Sequence, residues 1–171
     1  GSLYFSLEAG RTIEVGTDLS CVGGIRSGGT IHVGGAIHVG GEICSSRGVR
    51  AKTVAAAESV TAKGQIFVDG DVVVKSSLAT LGDLVVSGDI LLDAPRHSSI
   101  NVGGVLLANG SIRCSGTLAA VAITAGGDVS AGSLRTTGNL TVGREICVRR
   151  HIVCSLGSIS SEGSILAGQS I

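Results

Sequence analysis

The sequence predicts an all-β fold, a right-handed parallel β-helix (β-solenoid) with three short strands and about 18 residues per coil. Three observations predict it. A six-residue phrase recurs along the whole 171-residue chain and is plainest in Gly28 to Ile43, GGTIHVGGAIHVGGEI. Within each phrase, apolar residues stand two apart around an outward residue, the period of a strand with one buried face. The composition is that of a narrow, repetitive core: 28 glycines, 2% aromatics, and no Met or Trp, so bulk must come from Ile, Val, Leu and Ala.

Each unit is anchored on one aliphatic residue. The anchors begin Leu7, Ile13, Leu19, Ile25, Ile31, Ile37, Ile43 and Val49. A shorter step leads to Val54, then Val60, Ile66, Val72, Leu78, Leu84 and Ile90. A longer step leads to Ile100, Leu106, Ile112 and Leu118, followed by Ile123, Val129 and Leu134. Leu140, Ile146, Ile152, Ile159, Ile165 and Ile171 complete the series. Burying one such anchor is worth about 1.5–3 kcal/mol before entropy, so many small anchors can hold a thin core.

Two residues after each anchor stands a second small or apolar residue. Taken at every third unit, these form columns. One reads Ser27, Ser45, Ala62, Thr80, Val102, Ala120, Thr136, Cys154; another reads Val15, Val33, Ala51, Val68, Val86, Ala108, Ala125, Val142. The contrast between a small column and a Val/Ala column sets three strands per coil. The residue four after the anchor is most often glycine, which suits a corner needing positive φ. An acidic residue often follows it, as at Glu42, Asp71, Asp83, Asp89 and Asp128. Left-handed hexapeptide solenoids place a small residue directly after the anchor; here that position holds Glu14, Arg26, His32, His38, Arg50, Phe67 and Arg113, which favours the right-handed coil. The whole chain, 1–171, reads as one solenoid domain with a projecting loop at 93–99, Asp93 to Ser99, which holds the single proline.

The units Gly82 to Ile90 (GDLVVSGDI) and Gly127 to Gly132 (GDVSAG) resemble the G-D-[IVL]-x-[VA]-x-G phrase of bactofilins, the polymer-forming bacterial cytoskeletal proteins. They are also similar to stretches of filamentous-haemagglutinin-type adhesins. The first resemblance implies a nucleotide-free, non-enzymatic protomer that stacks end to end into filaments in the bacterial cytoplasm. The second implies the shaft of a secreted or cell-surface fibre that binds partners through a rod face. The cysteines and the 93–99 insertion depart from the bactofilin pattern.

Thirteen basic and thirteen acidic residues cancel, which removes the electrostatic case for a nucleic-acid partner. No run of about 18 apolar residues indicates membrane association of this segment. His32 and His38 stand six apart and fall on different faces of a three-sided coil, so they share no metal ion, and no CxxC pair marks a zinc site. Cys21, Cys114 and Cys154 fall on inward positions, Cys44 and Cys147 on outward ones, where a thiol could react or cross-link protomers. His97 in the projecting loop is the one residue open to a general-base reading, like the loop histidine of hexapeptide acyltransferases. No carboxylate is identified to support it, and no enzyme, catalytic residue, metal or cofactor is expected. Arg144, Arg149, Arg150 and His151 form a small basic patch.

The partner expected is the protein itself. Outward positions that should be polar are apolar at Phe67, Val85 and Leu107 on one face and at Val73 and Leu91 on the next. Such stripes mark contact surfaces, here for lateral packing of rods. At the ends of the repeat, Leu3, Phe5 and Leu7 alternate like a first rung, and Ile165 and Ile171 close the series without a capping helix or proline. An open coil end is a template for further strands, so these residues are the expected end-to-end interface.

Overall fold

The computed structural model describes residues 5–94 and 98–171. The first coil is β1 (Leu7–Ala9), β2 (Ile13–Val15) and β3 (Leu19–Cys21), and the same three-strand coil repeats until 27 strands are laid down. Strand follows strand around a triangular cross-section, and each pairs in parallel with its equivalent one coil away. The result is three nine-stranded parallel sheets, the first, second and third faces of a β-solenoid, led by β1, β2 and β3 respectively. At about 4.8 Å per coil, nine coils make a rod on the order of 43 Å long.

Every strand contains one of the anchors read from the sequence, and anchor stacks on anchor. On the first face Ile25 pairs with Ile43 and Ile43 with Val60; on the second, Ile66 pairs with Leu84 and Leu84 with Leu106. From Ile25 to Ile152 each anchor is at most 2% exposed. Because all 18-residue steps, shortened or lengthened, return to this register, the irregular steps are absorbed at corners. Between Val49–Ala51 and Thr53–Ala56 a single residue, Lys52, makes the turn. The long step falls between Ile90–Leu92 and Ser99–Val102, and pairing resumes at Ser77 with Ser99. Its base is tied down. The Ser98 hydroxyl is fully buried, lies 2.8 Å from Ser115 Oγ and accepts the Ser115 N–H at 2.8 Å, while Ser115 Oγ donates to the Ala94 carbonyl at 2.8 Å. Pro95, Arg96 and His97 lie outside the described residues, as does Leu3.

The outer coils depart from the inward pattern. Leu7 and Ile165 are each 36% exposed, and Cys21 and Cys154 are only half-buried, because an outer coil has one neighbour where an inner coil has two. Ile171 lies beyond the last strand and is exposed, so it is not a buried anchor.

The glycines serve a purpose other than the expected one. At the paired corner residues Gly34 and Gly35 the backbone is not in the positive-φ region. What they need is room: a Cβ on Gly34 would overlap the Gly16 carbonyl oxygen of the preceding coil, and one on Gly35 would overlap the Asp18 carboxylate. That carboxylate accepts the N–H of Ala36 at 2.8 Å. The same arrangement recurs where Asp71 accepts from Asp89, Asp83 from Val105, and Asp89 from Ser111, at 2.8, 2.8 and 2.6 Å. The Gly-Asp phrase is thus a contact between coils. Glycine leaves space for the aspartate of the coil before, and the following N–H satisfies it.

The small column on the first face is likewise a hydrogen-bonding column. Ser27 and Ser45 are 1% exposed, and their hydroxyls donate to the Arg11 and Gly29 carbonyls one coil back, at 2.6 and 2.8 Å. Thr80 and Thr136 do the same to Gly64 and Val121. Among the described residues no buried side-chain nitrogen or oxygen lacks a partner, as a stable polar interior requires.

Gly34→Ala should therefore destabilise the fold by about 1–3 kcal/mol, the usual effect of overpacking. Gly16 occupies the same column one coil earlier, where an added Cβ meets nothing, and Gly16→Ala should stay within about 0.5 kcal/mol. Denaturant unfolding of the two variants checks the pair.

Candidate functional site

A solenoid uses its core positions for folding, so function falls to the outward residue of each strand and to the corners. The outward residues form three columns, one per face, with neighbours set by the strand register.

On the second face Phe67 stands beside Val85 and Val85 beside Leu107, so the stripe read from the sequence is contiguous. Phe67 and Val85 are half-buried and Leu107 is exposed. The Arg50 guanidinium lies 4.9 Å from the Phe67 ring centroid, a cation–π contact that covers part of the ring. The stripe passes into hydroxyls at Thr124 and Thr141. On the third face Val73 stands beside Leu91, both exposed, between Ala55 and Arg113. The corner Asp69 to Asp71 separates the two stripes. Among the other residues singled out, Phe5 and Ile171 are 65% and 70% exposed, and Leu7 and Ile165 lie on the outer coils.

The histidines are split as expected: His32 pairs with Glu14 on the second face, His38 with Ser20 on the third. Among the described residues no three His, Cys, Asp or Glu side chains are gathered to hold a metal ion, and no helix is long and apolar enough to cross a membrane. Arg144, Arg149, Arg150 and His151 are exposed, and His151 Nδ1 is 2.8 Å from Ser170 Oγ. One ion pair occurs among the described residues, Arg26 with Glu42 at 2.8 Å; the hydrogen bond and charge of Glu42 raise the guanidinium pKa further. Both side chains are largely in water, where such pairs add little stability.

The thiols occupy distinct environments. Cys147 is exposed on the third face between Ser130 and Leu166. Cys44 is half-buried between Arg26 and Thr61 on the first face. Cys114 is buried, and loss of hydration pushes its thiol up to about 11 from an ordinary 9.0.

One surface was not read from the sequence. A groove of about 940 Å³ runs along the first face. Its floor is the outward column Thr61, Ala79, Asn101, Ala119, Arg135 and Val153, adjacent strand by strand. Its wall comes from the corner residues that follow those strands, including Leu81 and Val121, which are 72% and 46% exposed. Two small floor residues and two large corner residues make it. The signal was present at Leu81 and Val121, where apolar side chains replace the glycines or polar residues of most other corners.

Comparison with protein-family models, curated proteins and solved structures gives no match for this chain.

Thiol labelling of the native protein near pH 8 should modify Cys147 rapidly and leave Cys114 untouched until the fold is denatured. The raised thiol also fixes a pH dependence. Cys114 supports the fold in full below the ordinary thiol value. Above about pH 9 the unfolded chain ionises while the folded chain does not, so this contribution is lost as pH rises towards about 11. Cys114→Ala should flatten the decline in unfolding midpoint over that window.

Proposed function

We propose that this protein is a structural, self-assembling β-solenoid whose rods stack end to end into filaments and pack laterally through their apolar stripes. The observation that carries the reading is the uniform coil register. Anchor meets anchor at every step, whether the residue is Ile, Leu or Val, so one coil is an acceptable neighbour for any other, from the same chain or from a second copy. The exposed anchors Leu7 and Ile165 are the places where such a neighbour would bury apolar surface. The backbone edge of an outer coil offers parallel pairing to it.

The resemblance of Gly82 to Ile90 and Gly127 to Gly132 to the bactofilin phrase supports the same reading and adds a bacterial cytoskeletal or scaffold role in the cytoplasm. On this reading the protein is its own partner, performs no catalytic step and needs no cofactor. The adhesin resemblance supports a different assembly, a shaft on the cell surface that binds through a face and does not polymerise.

Lateral association falls to the Phe67, Val85 and Leu107 stripe. It occupies the central three strands of a nine-stranded face, so two rods laid face to face can superimpose their stripes along much of their length. Electron microscopy of the purified chain should show unbranched filaments about one rod wide, some bundled. Phe67→Asp combined with Val85→Asp should abolish bundling and leave single filaments. Monodisperse monomers at high concentration would contradict end-to-end assembly, and bundles unchanged by the double substitution would contradict the lateral contact.

A further inference from the structure

The groove on the first face takes no part in the contacts just proposed, and its chemistry is specific. The floor alternates small and polar, Ala79, Asn101, Ala119, beneath the Leu81 and Val121 wall. From Thr61 to Val153 it spans five coil steps, roughly 24 Å at about 4.8 Å per coil. Lys63 stands at one end and Arg135 one coil short of the other, and among the described residues that line it none is acidic. Neither Lys63 nor Arg135 has an ion-pair partner among the described residues.

These properties select the occupant. An extended peptide brings a backbone that needs hydrogen bonds, but the floor strands spend their own backbone groups on the coils above and below. A sheet face, unlike a sheet edge, offers a peptide nothing to pair with. An alkyl chain needs no hydrogen bonds, can lie over Ala79 and Ala119 against Leu81 and Val121, and has the straight, narrow form of the groove. Cationic ends without carboxylates complement a negative head group. Arg135 is the better placed of the two, since the hydroxyls of Thr137 and Ser155 line the same end.

We propose that this groove binds one long-chain anionic amphiphile, its alkyl chain laid along the rod axis over Ala79 and Ala119 and its head group at Arg135. The test is displacement of the fluorescent fatty acid cis-parinarate from the full chain by palmitate, below the concentration at which either forms micelles. Saturable one-to-one binding is expected. Ala119→Trp, which fills the floor, should abolish it, and Ala79→Trp serves as a second blocking variant should the first fail to fold. Arg135→Gln should weaken palmitate about tenfold, as loss of one charge-assisted contact does, and should remove the preference for palmitate over hexadecanol. His32→Trp, at an exposed position on another face, should leave palmitate binding unchanged. Absence of saturable binding would overturn the proposal, as would binding indifferent to both tryptophan variants. Formation of dimers broken by Ala119→Trp, or binding to phosphatidylglycerol vesicles without binding to free palmitate, would overturn it too.

Discussion

The contact on which the structure depends is the one between corners of successive coils. Parallel strands must sit about 4.8 Å apart, and in a solenoid this spacing applies to the turns as well as to the strands. At the tightest corners a side chain would strike the carbonyl of the turn before it, as a Cβ on Gly34 would strike Gly16. Glycine solves the steric problem and leaves a polar one: the corner glycine amides reach carbonyls one coil back, and the amide that follows them needs an acceptor. The aspartates supply it. Asp18, Asp71, Asp83 and Asp89 each accept a corner N–H from the next coil, through the space that glycine leaves. Steric and polar requirements are thereby met by one dipeptide, which is why Gly-Asp recurs.

The same economy governs the interior. A triangular coil with strands of two to four residues has no room for large side chains, and its corners turn carbonyls inward. The hydroxyls of Ser27, Ser45, Thr80 and Thr136 answer those carbonyls from within the core column. Leaving one such buried acceptor unpaired costs about 1–3 kcal/mol, comparable to the burial of a whole anchor. The first face therefore trades some apolar bulk for satisfied polarity, while the second and third faces keep mostly Val and Ala. With folding assigned to core and corners, the outward columns are free to vary, and the apolar stripes and the groove are variations of that kind.

The strand positions were legible because burial in a solenoid has a strict period, and a one-residue slip would turn an anchor such as Ile66 outward. Three strands per coil were legible from the columns, since Ser45 and Thr80 stand in one column, either side of Ala62, and Val68 in another. The bonding role of those hydroxyls was not legible, because a small residue in a core column reads the same whether it packs or donates. The glycines misled for a similar reason. Composition signals a special backbone or a close approach alike, and the coil one turn away decides which. The stripe at Phe67, Val85 and Leu107 was legible as three apolar residues on outward positions. The groove was not, because Ala79 and Ala119 look featureless until Leu81 and Val121 are seen to rise beside them.

The register from coil to coil underlies fold, assembly surface and groove together, and a single distance measures it. Spin labels at Glu14 and Thr141, in a background with the cysteines replaced, sit on the second face seven coil steps apart. Double electron–electron resonance should give a narrow distribution near 34 Å, at about 4.8 Å per step. A coil of two strands would place the labels on the order of 50 Å apart at the same spacing. A distance near that value, or a broad distribution, would contradict the three-strand stacking from which the rest follows.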